Sequence, residues 1–166
     1  MSAEYTTVSI KDLPYPHGLG KRGQFSDLEQ QMKAILGSGY SSPAVNKQRF
    51  WDADYQAAIH QHLVPVFGDI VTIAAQAVDL GRQSAAFGHV IPFDDSRADE
   101  VYYVGIPFTN PTPENLIPYR AEGWAKDPLQ ITSAGDIADG RHRISVLRAL
   151  VQPTNPDFPV LVKIYR

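Results

Sequence analysis

The sequence predicts an α+β domain: a small mixed β-sheet packed with helices. Three observations carry this. Residues 5–10 (YTTVSI) alternate and are rich in β-branched residues, the pattern of a short strand. The middle of the chain holds stretches whose apolar residues recur at helical spacing. The last 40 residues run strand, turn, strand, loop, helix and strand.

Composition sets the outer limits. With 166 residues, the chain fits one domain over 1–166, read as carrying a helical insertion at 44–100. Hydrophobic residues make up 43%, enough for a sizeable core, and charged residues only 20%, which argues against disorder. The chain has no cysteine, which excludes disulfides, thiolate zinc sites, iron–sulfur clusters and a cysteine nucleophile. A net charge of -3 argues against a generally basic nucleic-acid coat. The N-terminus lacks a basic segment followed by an apolar run, and the longest apolar region, 63–80, is interrupted by Pro65, Gly68, Asp69, Thr72, Gln76 and Asp79. The expectation is a cytoplasmic protein with no membrane partner.

The elements follow in order. Residues 14–24 form a Pro/Gly loop carrying Lys21 and Arg22. Ser26 and Glu29 form a capping-box pattern that opens a helix faced by Leu28, Met32, Ile35 and Leu36, and Gly37 and Gly39 stop it. A helix over 47–63 follows, with Phe50, Tyr55, Ile59 and Leu63 inward. Asp69 is placed to cap a central helix over 70–82, on which Ile70, Ile73, Ala74, Ala77, Val78 and Leu80 cover more than one face. Residues 83–99 read as irregular, 100–108 as a strand, and 113–121 as a helical turn. Leu129 to Thr132 and Ile137-Ala138 flank a Gly135-Asp136 turn. Ile144, Val146, Leu147 and Leu150 then mark a helix to about Val151, and 158–165 is a returning strand.

The chemistry concentrates at Asp139-Gly140-Arg141-His142-Arg143. Gly140 allows a tight turn and a close backbone approach. The helix that follows aims its free N–H groups and positive dipole end at the loop, which is an anion site before any side chain is counted. Arg141 and Arg143 offer paired donors for phosphate. His142 can donate or pass a proton. Asp139 can pair with Arg143, cap the helix or hold a metal. The competing reading is that these cations pair with Asp136, Asp139 or another carboxylate. Arg148 adds a fourth cation within eight residues.

The segment 127–165, DPLQITSAGDIADGRHRISVLRALVQPTNPDFPVLVKIY, resembles the nucleotide-binding core of the ParB/sulfiredoxin superfamily. The run Pro128-Leu129-Gln130-Ile131 matches its entering strand and Asp139-Gly140-x-His142-Arg143 its DGxHR loop. The resemblance implies a ParB/sulfiredoxin-like fold, binding of ATP or CTP with Mg²⁺, and hydrolysis or transfer of a phosphate. In that scheme Gly140, Arg141, His142, Arg143 and Arg120 hold the nucleotide. Asp139, His142 and Asp136 are the catalytic candidates, and Asp139 the metal ligand. Arg141 stands where sulfiredoxins carry their cysteine, so sulfinic acid repair is excluded. The loop is close to the DGHHR loop of free serine kinases, for which Glu114 or Glu122 would be the general base. In size the chain is nearest to small plasmid-encoded fertility inhibitors of the Osa type, which implies a DNA-processing setting. The alternatives are a non-catalytic, nucleotide- or anion-dependent interaction module and a small-molecule kinase.

Other features have plainer readings. Asp94, Asp95, Asp99 and Glu100 read as a solvated acidic loop rather than a Mg²⁺ site. His60 and His62, two apart on a helix, do not share a face. His17 and His89 lie in loops. Tyr119 and Trp124 flank Arg120 and are candidates to stack on a base. The helices of 44–100 read as a cover for the sheet or a homodimer surface.

Overall fold

The computed structural model describes residues 2–21, 25–92 and 110–166, with the side chains of residues 91, 92 and 139 outside that set. The fold is α+β. Among the described residues, a five-stranded mixed sheet has the order β2-β1-β5-β3-β4. Its strands are β1 (Ser2–Ser9), β2 (Val90–Pro92), β3 (Leu129–Ile131), β4 (Ile137–Asp139) and β5 (Pro159–Tyr165). β5 is central. It pairs antiparallel with β1, where Thr6 faces Val162, and parallel with β3, where Gln130 faces Lys163. Its run Val160, Leu161, Val162 and Lys163 is buried without alternation, as expected of a strand covered on both faces.

Six α-helices among the described residues pack with the sheet: α1 (Ser26–Leu36), α2 (Pro43–Arg49), α3 (Ala53–His62), α4 (Ile70–Gln83), α5 (Leu116–Lys126) and α6 (Arg141–Val151). α4 lies against β5 and α5 and also meets α6. Tyr5 Oη donates to the Ala125 carbonyl at 2.6 Å and Trp124 Nε1 to the Leu161 carbonyl at 3.0 Å, so α5 is tied to β1 and β5. The helices of the middle segment share one buried cluster with the sheet, from Phe50, Ile59 and Ala77 to Leu161 and Val162.

Several expectations change. The Ser26 capping box does not form. Ser26 is the first residue of α1, Phe25 sits at the N-cap, and Glu29 pairs with Lys33 at 2.8 Å. The helix expected over 47–63 is two helices, because the chain turns at residues 50–52. The first starts earlier: Ser42 Oγ accepts the Val45 N–H at 3.3 Å and Pro43 takes the first helical position. Phe50, Tyr55, Ile59 and Leu63 are all fully buried, so the inward set holds across the break. Asp69 occupies the α4 N-cap without a side-chain capping bond. β2 adds a strand in a stretch read as irregular, and the turn expected at 113–121 is the full helix α5. The strand expected over 100–108 lies outside the described residues. Among the described residues, no helix is long and apolar enough to cross a membrane.

Candidate functional site

The site begins at the turn from β4 into α6. Gly140 is the α6 N-cap and has φ +99°, a left-handed conformation that side-chain-bearing residues avoid. Space makes the same demand, since a Cβ here would lie 1.9 Å from Leu129 Cδ2. β3 thus packs directly on the turn, and α6 leaves it with Arg141, His142 and Arg143 in its first turn. No acidic residue accompanies them there. Three basic residues at the positive end of a helix dipole form a locus that favours an anion.

Successive helical residues point about 100° apart, so the three side chains diverge. Arg141 Nη1 lies 4.0 Å from the point a Gly18 Cβ would occupy, and Lys21 Cδ lies 3.8 Å from the same point. Arg141 also bears on Tyr40. Burial and then the Glu29 charge raise the Tyr40 phenol to about 12, while Arg141 opposes the rise. His142 Nε2 accepts the Gly20 N–H at 2.9 Å. Its ring lies 4.8 Å from Phe25, centroid to centroid. Because the backbone N–H can only donate, Nε2 is the acceptor in this contact. Arg143 turns the other way, and its guanidinium carbon stands 5.2 Å over the Trp124 ring.

Arg143 reaches a cavity of about 640 Å³. α5 supplies Tyr119, Arg120, Glu122, Trp124 and Lys126 to its wall, and Phe67, Ile70 and Ile73 supply apolar surface. The expected Arg120, Tyr119, Trp124 and Arg143 therefore meet at one cavity, and so does Glu122. Trp124 is 2% exposed beneath Arg143, whereas Tyr119 is 40% exposed. Tyr119 thus presents an accessible aromatic face, while Trp124 lies beneath Arg143. Lys126, Phe67, Ile70 and Ile73 were not among the expected site residues. For Lys126 a signal existed: Tyr119, Glu122, Gly123 and Lys126 follow the i, i+3, i+4, i+7 spacing of one helical face. It is hidden when the helix is read as ending at 121.

Other expected residues fall elsewhere. Asp136 is exposed in the β3–β4 turn, where its carbonyl accepts the Thr132 N–H at 2.8 Å, and it does not line the cavity. The Asp139 side chain, Arg22, Asp94, Asp95, Asp99 and Glu100 lie outside the described residues. Glu114 is exposed in a loop. His62 Nε2 meets Gln31 Oε1 at 2.7 Å, and among the described residues no three His, Asp or Glu groups could hold a metal ion together.

Arg148 is a structural cation. It is fully buried and donates through Nη2 to the Leu13 and Pro14 carbonyls at 2.6 and 3.0 Å, and through Nη1 to Gln152 Oε1 at 3.0 Å. Its guanidinium lies 3.9 Å from the Tyr15 ring centroid. Burial lowers its pKa, against the Tyr15 charge and hydrogen bond. It anchors the 13–15 stretch to α6.

The fold and site together define an α+β domain with a cavity at the N-terminus of a helix, lined by the cations Arg120, Lys126 and Arg143 and by the acidic residues Asp69 and Glu122. Comparison with family models, curated proteins and solved structures finds no match.

Proposed function

We propose that this protein binds a phosphate-bearing ligand of the nucleoside di- or triphosphate class in the cavity beside Arg143. One observation carries the reading: Arg143, at the positive end of α6, lines the same cavity as Arg120, Lys126 and the exposed ring of Tyr119. The volume of about 640 Å³ falls within the ordinary range for small-molecule sites. Phosphates belong at Arg143, where the helix dipole and the guanidinium act together. A base belongs against Tyr119 and the apolar wall of Ile70, Ile73 and Phe67. Glu122 offers a carboxylate that can accept from a ribose hydroxyl or an exocyclic amine. The DGRHR loop's resemblance to the ParB/sulfiredoxin core points to the same ligand class, with ATP or CTP and Mg²⁺ as its expected forms. The Mg²⁺ expectation rests on Asp139.

Two readings of the consequence remain, phosphate cleavage or transfer, and a nucleotide-operated interaction module. A specific contact favours the second. The His142 Nε2 lone pair, which a general base would need, is engaged by the Gly20 N–H.

Calorimetric titration of ATP, CTP and ADP, with and without Mg²⁺, tests the proposal. The wild type should bind at least one of them. Arg143→Ala should bind about tenfold or more weakly, the scale of a lost charge-assisted bond. No binding by any nucleotide, or unchanged affinity in the variant, would overturn it. Phosphate release distinguishes an enzyme from a switch, and a plasmid-nicking assay tests action on DNA.

A further inference from the structure

His142 joins three parts of the molecule. Its Nε2 accepts the Gly20 N–H, and its ring packs on Phe25. Phe25 in turn lies 6.3 Å from Phe67, a wall of the cavity, and Arg143 is the next residue along the helix. The 18–21 loop is fitted closely between α6 and α1. Gly20 is buried with φ +86°, and a Cβ there would lie 2.4 Å from the Glu29 nitrogen. Tyr40 holds the same loop from the other side, with Tyr40 Oη donating to the Leu19 carbonyl at 2.7 Å and the Gly18 N–H donating to the Tyr40 carbonyl at 3.2 Å.

We propose that His142 is a proton-operated latch: neutral, it holds the 18–21 loop against α6, and protonated, it releases the loop and adds a positive charge to the first turn of α6. An imidazolium has two N–H donors and no lone pair, so it cannot accept from Gly20. The bond is therefore present while the ring is neutral and is lost once the ring takes up a proton. The titratable and charged groups on the surrounding elements are His17 and Lys21 in the loop with Tyr40 against it, Asp27, Glu29 and Lys33 on α1, Asp54, His60 and His62 on α3, Asp69, Asp79 and Arg82 at or on α4, and Arg141 and Arg143 on α6 itself. Glu29 is paired with Lys33. An anion at Arg143 favours the charged ring, so binding takes up a proton and frees the loop. This last step rests on the phosphate-binding reading, whereas the latch itself does not.

The ligand-free, ¹⁵N-labelled chain tests the latch. Imidazole spectra should show His142 with its proton on Nδ1 at high pH. Protection of the Gly20 amide from exchange, corrected for intrinsic rates, should fall about tenfold as the ring titrates. In His142→Gln, whose side-chain oxygen accepts at every pH, protection should stay level. A proton on Nε2 at high pH, or Gly20 protection that ignores the titration, would overturn the latch even if the variant failed to fold. Titration with ADP in two buffers of different ionisation enthalpy should then show proton uptake in the wild type and none in His142→Gln. Equal uptake in both would overturn the coupling. If ADP, ATP and CTP all fail to bind, the proposed function fails, and the amide and tautomer measurements still decide the latch.

Discussion

Gly140→Ala adds one carbon at the junction of β4 and α6, and two separate costs follow. The first is conformational. At φ +99° an alanine is held where L-residues are strained, at about 1–3 kcal/mol. The second is steric. The new methyl would begin 1.9 Å from Leu129 Cδ2, and Leu129 is 1% exposed, so forced repacking adds about 1–3 kcal/mol. Together they should lower stability by about 2–6 kcal/mol, a large share of the roughly 5–15 kcal/mol available to a domain. Urea unfolding followed by circular dichroism would read this directly. Leu129→Ala separates the two costs. Alone it should destabilise by about 2–5 kcal/mol through the cavity it leaves. In the double variant the added methyl occupies part of that space, so only the conformational cost persists. The pair should couple by about 1–3 kcal/mol, well beyond the roughly 0.3–0.5 kcal/mol error of additivity. A Gly140→Ala protein within about 0.5 kcal/mol of wild type, or strictly additive effects, would refute the packing of β3 on the turn.

Other perturbations have defined outcomes. Burial first, then Glu29, raises the Tyr40 phenol to about 12, and burial with Tyr40 beside it raises Tyr55 as well. A raised folded-state pKa gives stability that is complete below the ordinary tyrosine value of about 10 and lost as pH climbs through the folded value. Circular dichroism should therefore show alkaline unfolding between about pH 10 and 12, with a shallower pH dependence in Tyr40→Phe; a flat profile in that window would contradict it. Arg148→Met should lose about 2–3 kcal/mol and lower the melting temperature by about 5 °C or more, since the Leu13 and Pro14 carbonyls lose their buried donor. An unchanged melting temperature would show that Arg148 does not hold the loop. Gly81→Ala gains about 1 kcal/mol of helix propensity but starts its Cβ 2.6 Å from Leu161 Cδ1 and 3.1 Å from Tyr5 Oη. Overpacking of about 1–3 kcal/mol should win, and a stabilised variant in urea unfolding would overturn the close α4–β5 approach.

What could be read from the chain depended on how local the signal was. The β3–β4 turn and α6 were legible because Gly135, Gly140 and the spacing of Ile144 and Leu147 lie within a few residues of what they control. The α2–α3 break is less plain: Tyr55, Ile59 and Leu63 keep a four-residue spacing, Phe50 stands five residues before Tyr55, and the chain leaves the helix at Asp52, whose backbone is extended. Ser42-Pro43 was a local signal that a later helix start obscured. At Ser26 the opposite happened: a matching pattern was present, but buried Phe25 takes the N-cap and Lys33 claims Glu29. The site divides similarly. Arg143, Arg120 and Tyr119 were recognisable by type, whereas Phe67 and Ile73 reach the cavity only through the packing of α4 on α5. The divergence of Arg141 from Arg143 follows from helix geometry. His142's partner, 122 residues away at Gly20, does not.

In the proposed function, the α6 N-terminus and the α5 face form one phosphate-ligand site. Amide chemical-shift mapping of the ¹⁵N-labelled protein with ADP tests it most directly. Saturable shifts at the amides of 140–144 and along 119–126 are expected. No saturable shift, or shifts that spare both segments, would contradict it.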